Sequence, residues 1–407
     1  AGTVKPGASS PSAGWKGVRG SMLIGGLGKA SSFFAEKQAV ILNFGRAYTK
    51  VGLAAESRPR AIFKTPELRR RCRLGPEVSG TLSHKEWIGL LDDLLNRIFF
   101  QHLHLSPKDR RVVICDAVYS STAFRSALAF VLFKLFSVPA VCFTLELVVP
   151  LYLTGLHSGL VVDFGYEAAR VMPTFAGVPV LSAYVDAACG AKHVLAAIKK
   201  SLAAAGAQPE ALESESVLED VLVCACYVAC DFPEDGKNPA RSLRTDKDAE
   251  VRLPGKDAVL HIPSDLRRNV TELFFPQDTA KAQEEREAES EGFATSSIPE
   301  AFVRCLELCP IDVRSAVVQN VVVVGGCATL RGLFPRLALE LQAALQQHKT
   351  LPALAERLRI TPLDFAPVCA AWTGAAVFGA LEGARDLSAD DFQRGELLPD
   401  WLREGYV

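Results

Sequence analysis

The sequence lacks an excess of charge of either sign. Lys and Arg number 45 and Asp and Glu 46, a formal net charge of −1. A protein that binds a phosphate backbone needs a clear basic excess, so nucleic acid is not an expected partner; a protein partner is compatible with neutrality. The chain also lacks any apolar run approaching the roughly 18 residues of a membrane span. Its longest candidates, Ala127–Phe136 and Leu145–Leu153, are broken by Lys134 and Pro150. Histidine is scarce, at 7. Acidic residues are absent before Glu36. Residues 1–37, rich in Gly, Ser and Ala, read as a flexible extension, and the missing acids also fit a transit peptide. The first residue is Ala1 rather than Met, as in a processed or partial chain.

What is present is a core. Hydrophobic residues make up 49% and charged residues 22% of 407 positions, enough for two or three domains or one large two-lobed fold. The 11 cysteines are odd in number and scattered, which reads as reduced thiols in an intracellular compartment. Cys224, Cys226 and Cys230 invite a metal reading. On one helix over Glu219–Cys230, however, positions two apart do not share a face, and no nearby His completes a tetrahedral set.

Order is expected from Gln38. Ala39–Leu42 and Thr49–Ala54 read as strands on either side of a turn at Gly45. Arg58–Arg73 is basic, carries two prolines, and reads as loop with some strand. Trp87, Leu90, Leu91, Leu94, Leu95 and Ile98 recur at helical spacing, with Ser83 and Glu86 forming a capping pair. Strand Val112–Cys115, helix Thr122–Phe136, strand Ala140–Thr144 and an apolar helix Leu145–Leu153 follow. The pattern then restarts, with strands Gly159–Asp163 and Ala169–Phe175 around Gly165. Later come the valine strand Val321–Val324 with Gly325 and Gly326, a helix over Leu333–Gln346, and a small-residue helix over Val368–Leu381. Polar segments at 231–256 and 278–297 read as solvated insertions. The repeated strand–turn–strand unit implies two related α/β lobes with a cleft between them, a preferred place for a ligand.

Three turns carry candidate chemistry: Asn43–Ala47 with Lys50 beyond, Asp163–Glu167, and Gly325–Thr329. Glycine in such turns lets backbone N–H groups approach an anion, and a carboxylate ending a strand can hold a hydrated divalent cation. In this order the turns resemble the two phosphate loops (Ile41–Gly52 and Gly159–Gly165) and the adenosine segment (Val322–Gly326) of the actin family. Thr144–Gly155 and Ala371–Gly374 resemble its interlobe connections, and Cys309–Arg314 is a further actin-like stretch. Within the family, Ser106–Ile114, Val131–Lys134 and Pro399–Trp401 are most similar to the actin-related protein at the pointed end of dynactin, the activator of cytoplasmic dynein.

The resemblance implies an actin-like ATPase fold, shared with heat-shock-70 and hexokinase proteins, covering residues 38 to 403. The first lobe would be 38–158, with a shortened second subdomain at 64–83. The second would be 159–367, and 368–407 would return to the first. It implies nucleotide contacts at Gly45, Arg46, Lys50, Asp163, Gly165, Gly325 and Gly326, and Mg²⁺ near Asp163 and Glu146. The expected ligand is ATP or ADP with Mg²⁺, held statically. Departures from the family pattern argue against turnover. Asn43 stands for an Asp, Arg46 for a small hydroxyl residue and Ala47 for a Gly. Phe164, Tyr166 and Glu167 make the second loop bulky. At the family's water-activating positions, Glu146 stands for a glutamine near the γ-phosphate and Arg170 for a histidine beyond the second loop, and Leu222 and Val223 stand for polar nucleoside contacts.

Only the span from Lys64 to Ser83 occupies the place of the subdomain whose loop grips the next filament subunit. The receiving cleft of the opposite face would be Leu151, Tyr152, Gly155, Phe378 and Leu381. The expectation is therefore a cytoplasmic, cytoskeletal, non-catalytic cap on the pointed end of the dynactin filament. Its partners would be filament and pointed-end subunits, and indirectly dynein and cargo adaptors. The alternatives are a nucleotide-cycling actin-related protein and a nuclear subunit of a chromatin-remodelling complex.

Overall fold

The computed structural model describes residues 37–66, 68, 82–207, 212–232, 241–243, 245, 247–252, 259–276, 297–381, 386–395 and 398–401. Contacts divide the chain into Ala1–Lys37 and Gln38–Val407. Residues 1–36 of the expected extension, residues 69–73 of the basic stretch 58–73 and residues 278–296 of the second polar segment lie outside the described residues.

In chain order the strands are β1 (Val40–Phe44), β2 (Tyr48–Leu53), β3 (Ala61–Lys64), β4 (Val112–Asp116), β5 (Ala140–Leu145), β6 (Gly159–Phe164), β7 (Ala169–Phe175), β8 (Val178–Pro179) and β9 (Val185–Ala187). After them come β10 (Cys230–Phe232), β11 (Arg241–Leu243), β12 (Ala249–Arg252), β13 (Val259–Ile262), β14 (Val321–Gly325) and β15 (Leu387–Ser388). The first sheet runs β15-β5-β4-β1-β2-β3; the second runs β14-β6-β7-β8, with β9 also paired to β7. Their centres share one plan. β1 lies between antiparallel β2 and parallel β4, as β6 lies between antiparallel β7 and parallel β14. The strand–turn–strand repeat read from the sequence is therefore a repeat of sheet topology. The ends of β1 and β6 bring Asn43 and Asp163 to equivalent positions.

Helices cover these sheets for ordinary reasons. His84–Asn96 starts at a Ser83–Glu86 capping box and buries Trp87, Leu91, Leu94 and Leu95 on one face. Thr122–Phe130 is capped by Ser121 and continues as a π-helical turn through Leu135. The helix Ala370–Ala380 buries seven of its eleven residues. A Cβ on its Gly374 would stand 2.1 Å from the Val149 carbonyl oxygen, so only glycine allows that approach. Trp372 donates from Nε1 to the Ile41 carbonyl (3.2 Å) and fixes the helix on the first sheet. Val118, Leu145, Leu147 and Leu151 share a cluster with Val161, Met172, Val322 and Val324, which joins the sheets at the cleft base.

Three local expectations are corrected. Leu145–Leu153 is not one helix: β5 ends at Leu145 and a 3₁₀ turn spans Val149–Leu153, because Pro150 suits the first turn of a helix and not its interior. The helix expected at Glu219–Cys230 runs Glu215–Cys224, and Cys230 opens β10. The polar segment 231–256 is not all loop, since β11 and β12 lie within it and pair with β10 and β13.

Candidate functional site

The β1–β2 hairpin turns at Gly45, whose N–H donates to the Tyr48 carbonyl (3.1 Å). Asn43 is buried and lies across from Lys50 in the hairpin register. The β6–β7 hairpin turns at Gly165 and sets Asp163 across from Arg170. Glu146 follows β5, with its N–H bonded to the Asp116 carbonyl at 2.9 Å. These elements converge on one guanidinium. Arg170 donates from Nε (2.9 Å) and Nη2 (2.5 Å) to Asp163 Oδ2, and from Nη1 to Glu146 Oε1. Asn43 Nδ2 reaches Glu146 Oε2 at 3.5 Å. Asp163 is 6% and Glu146 7% exposed, so these charges meet out of water. The turns themselves are tied by Arg46 Nε to Glu167 Oε2 at 3.7 Å.

Burial raises the Asp163 carboxyl above the usual range; Arg170 opposes that and Glu146 adds to it. Burial alone would lower the Arg170 guanidinium, but Glu146 and Asp163 outweigh it and hold the charge firmly. Glu146, Asp163 and Glu167 thus stand among Arg46, Lys50 and Arg170, and Asp186 also faces Arg170 across the β7–β9 register.

A hydrated divalent cation needs carboxylate oxygens free to order its water shell. Arg170 already takes Asp163 Oδ2 and Glu146 Oε1. Asp163 Oδ1 faces Gly325, 2.6 Å from where a Cβ would stand. Among the described residues no group of three or more His, Cys, Asp or Glu could hold a metal ion. The expected Mg²⁺ site at Asp163 and Glu146 does not fit these residues, because an arginine side chain sits between them.

Of the other residues expected at the nucleotide, Lys50 is half-buried and its ammonium makes no hydrogen bond or ion pair among the described residues, while its charge is felt at Asp163, Cys115 and Cys369. Gly325, at φ +100°, lies against the Phe164 carbonyl, where a Cβ would stand 2.5 Å from oxygen; Gly326 borders open space.

The residues expected to form an apolar cleft differ in exposure. Tyr152 (40%) and Leu381 (49%) are exposed, and the Tyr152 ring meets Phe378 edge-on at 5.7 Å. Gly155 turns the chain at φ +69°. Leu151 is corrected: at 3% exposure it belongs to the cluster joining the sheets and cannot receive a partner. Sequence reasoning missed Leu156 (51%), Phe175 (40%) and Val178 (43%), all exposed. The Gly177 N–H to the His157 carbonyl (2.7 Å) and the Ala176 N–H to Ser158 Oγ (2.9 Å) hold their two turns together.

A sequence model of the family described as "Actin" matches residues 87–389. The chain belongs to the actin family. It is 25% identical to Actin-like protein 7A of Homo sapiens over 389 residues, 90% of this chain and 83% of that protein. It is 24% identical, over the same shares, to Actin-like protein 7A of Macaca fascicularis. The mixed sheets described above are those of the actin-like ATPase fold.

In this actin-family chain both hairpins also meet the helix Glu215–Cys224, the first across the lobes and the second within its own lobe. Tyr48 Oη donates to Glu219 Oε2 (2.5 Å), and Lys64 Nζ lies 2.8 Å from the same oxygen. Tyr166 Oη donates to Glu215 Oε1 at 2.6 Å. Glu215 and Glu219 are four apart on the helix Glu215–Cys224 and share a face, a spacing visible in the sequence. On the same helix Leu222 is buried in the core and Val223 is 65% exposed. Neither offers a polar group to a nucleoside. Cys224 is exposed while Cys226 and Cys230 are buried, so the three do not form a ligand set; the ten described cysteines are all free. No helix of the described residues is long and apolar enough to cross a membrane.

Proposed function

We propose that this chain is a non-hydrolysing structural subunit that caps the pointed end of an actin-related filament of the dynactin type. The observation that carries the reading is the exposed Tyr152 ring set edge-on against half-buried Phe378, with Leu381 also exposed, at residues that resemble those with which family members receive a neighbour's gripping loop. Exposed aromatic and aliphatic side chains flanking a turn suit burial of a partner segment. The extending face has only the span between Lys64, the end of β3, and His84, the start of the next helix. A subunit with a receiving face and too short a span for the gripping subdomain would end a filament. The charge pairing of the hairpins supports the non-catalytic part. With Arg170 on both carboxylates, no free base faces a phosphate and the metal's place is taken.

The partners in this reading are the filament's terminal actin-related subunit on the cleft and pointed-end subunits on the opposite face. Dynein and cargo adaptors are reached indirectly, and the setting is the cytoplasmic cytoskeleton. Nucleotide cycling is the second reading, and the Arg170 pairing weighs against it. The test is Tyr152→Asp. This variant should fold, by circular dichroism, and lose co-sedimentation with dynactin-type filaments. Unchanged co-sedimentation would remove the cleft from the proposal.

A further inference from the structure

We propose that Arg170 is a built-in replacement for the divalent cation of the family's nucleotide site, so that the two hairpins reach their closed arrangement without metal. The argument starts from position. Arg170 is the β7 residue paired with Asp163, and Asp163 ends the central strand of the second sheet. From there its guanidinium spans to Glu146, which follows a strand of the first sheet. One side chain therefore joins carboxylates from both lobes, the task of a cation bridging a cleft.

The chemistry matches that task. Two buried carboxylates drawn together repel unless a positive charge lies between them. A guanidinium is always charged and presents its donors in a planar fork, so it can serve two carboxylates at once. Here two of its nitrogens hold Asp163 and a third holds Glu146. The pairing is also covalently tethered, so no loss of a small ion can open it. A metal ion entering this place would have to displace a side chain held on both sides by charge. Any phosphate-bearing ligand of the cleft then enters as a metal-free anion. The nearby cation without an ion pair among the described residues is Lys50.

This rests on the hairpin geometry alone. The capping proposal can fail with it standing, because co-sedimentation and metal binding are read separately. The experiment titrates Mn²⁺ into the purified full chain, following free Mn²⁺ by electron paramagnetic resonance, with thermal melts in chelator and in excess Mg²⁺. The wild type should bind no Mn²⁺ at millimolar concentration, and its melting temperature should be the same in chelator and in Mg²⁺. Arg170→Ala should melt lower in chelator, gain one Mn²⁺ site, and regain melting temperature with Mg²⁺. Two results would overturn the proposal: wild-type Mn²⁺ binding that disappears in Asp163→Asn, or an Arg170→Ala protein as stable as wild type with no Mn²⁺ bound. Should Arg170→Ala fail to fold, the wild-type titration with its Asp163→Asn control still decides.

Discussion

Arg170→Met keeps most of the side-chain stem and removes the charge. In wild type the guanidinium holds Asp163, 6% exposed, and Glu146, 7% exposed. Removing one partner of such a buried pair leaves the other charge uncompensated, at a cost of about 3–5 kcal/mol. The variant should lose roughly that much stability at neutral pH, read from urea denaturation followed by circular dichroism in chelator. The loss should depend on pH in a defined direction. Burial already raises the Asp163 carboxyl in the folded state, with Arg170 opposing it. Without Arg170 the folded-state value moves further up. A raised carboxyl contributes stability that is fully present below its unfolded value and is lost as pH rises through its folded value. The variant loses it over a wider window than wild type. The deficit should therefore be full at neutral pH and shrink on acidification, by up to about 1.4 kcal/mol per pH unit for the Asp163 carboxyl. Equal stabilities at neutral pH, or a deficit that grows toward acid, would refute the reasoning.

Other outcomes follow from the same structure. Purified protein should release phosphate from ATP no faster than the Asp163→Ala, Glu146→Ala double variant, measured by a phosphate-release assay with Mg²⁺ present; faster wild-type release would favour a cycling enzyme. Native-state alkylation at pH 8, mapped by mass spectrometry, should modify exposed Cys224 and spare Cys142, Cys189, Cys226 and Cys327. Burial pushes those four thiols up to about 12, leaving on the order of one thiolate in 10⁴. Gly325→Ala should lower stability by at least ~1–3 kcal/mol in urea, because φ is +100° and the new Cβ would meet the Phe164 carbonyl oxygen at 2.5 Å.

Much of the fold was legible because its signals are local. Ser83 and Glu86 announce their helix, and the runs around Gly45 and Gly165 announce two hairpins. The helix over 215–224 was misplaced because apolar and cysteine residues continue past its end at Cys224. The strands β10 to β13 are three or four residues long, too short to show a period. In the site, sequence reasoning brought forward Asp163 and Glu146 but treated Arg170 only as a missing histidine. One signal was available: a hairpin turning at Gly165 sets Asp163 across from Arg170 by register. Glu146 meeting the same guanidinium depends on how two sheets stand together, which no local pattern encodes. Leu151 and Tyr152 are neighbours in sequence, yet the turn buries one and exposes the other.

The most direct test of the central claim is where the chain sits on a filament. Tagged protein should be added to dynactin-type actin-related filaments and visualised by negative-stain electron microscopy, with filament length followed in parallel. A terminating subunit should appear as one copy per filament, at the pointed end, and growth there should stop. Decoration along the filament, or continued growth beyond the tagged copy, would contradict the account.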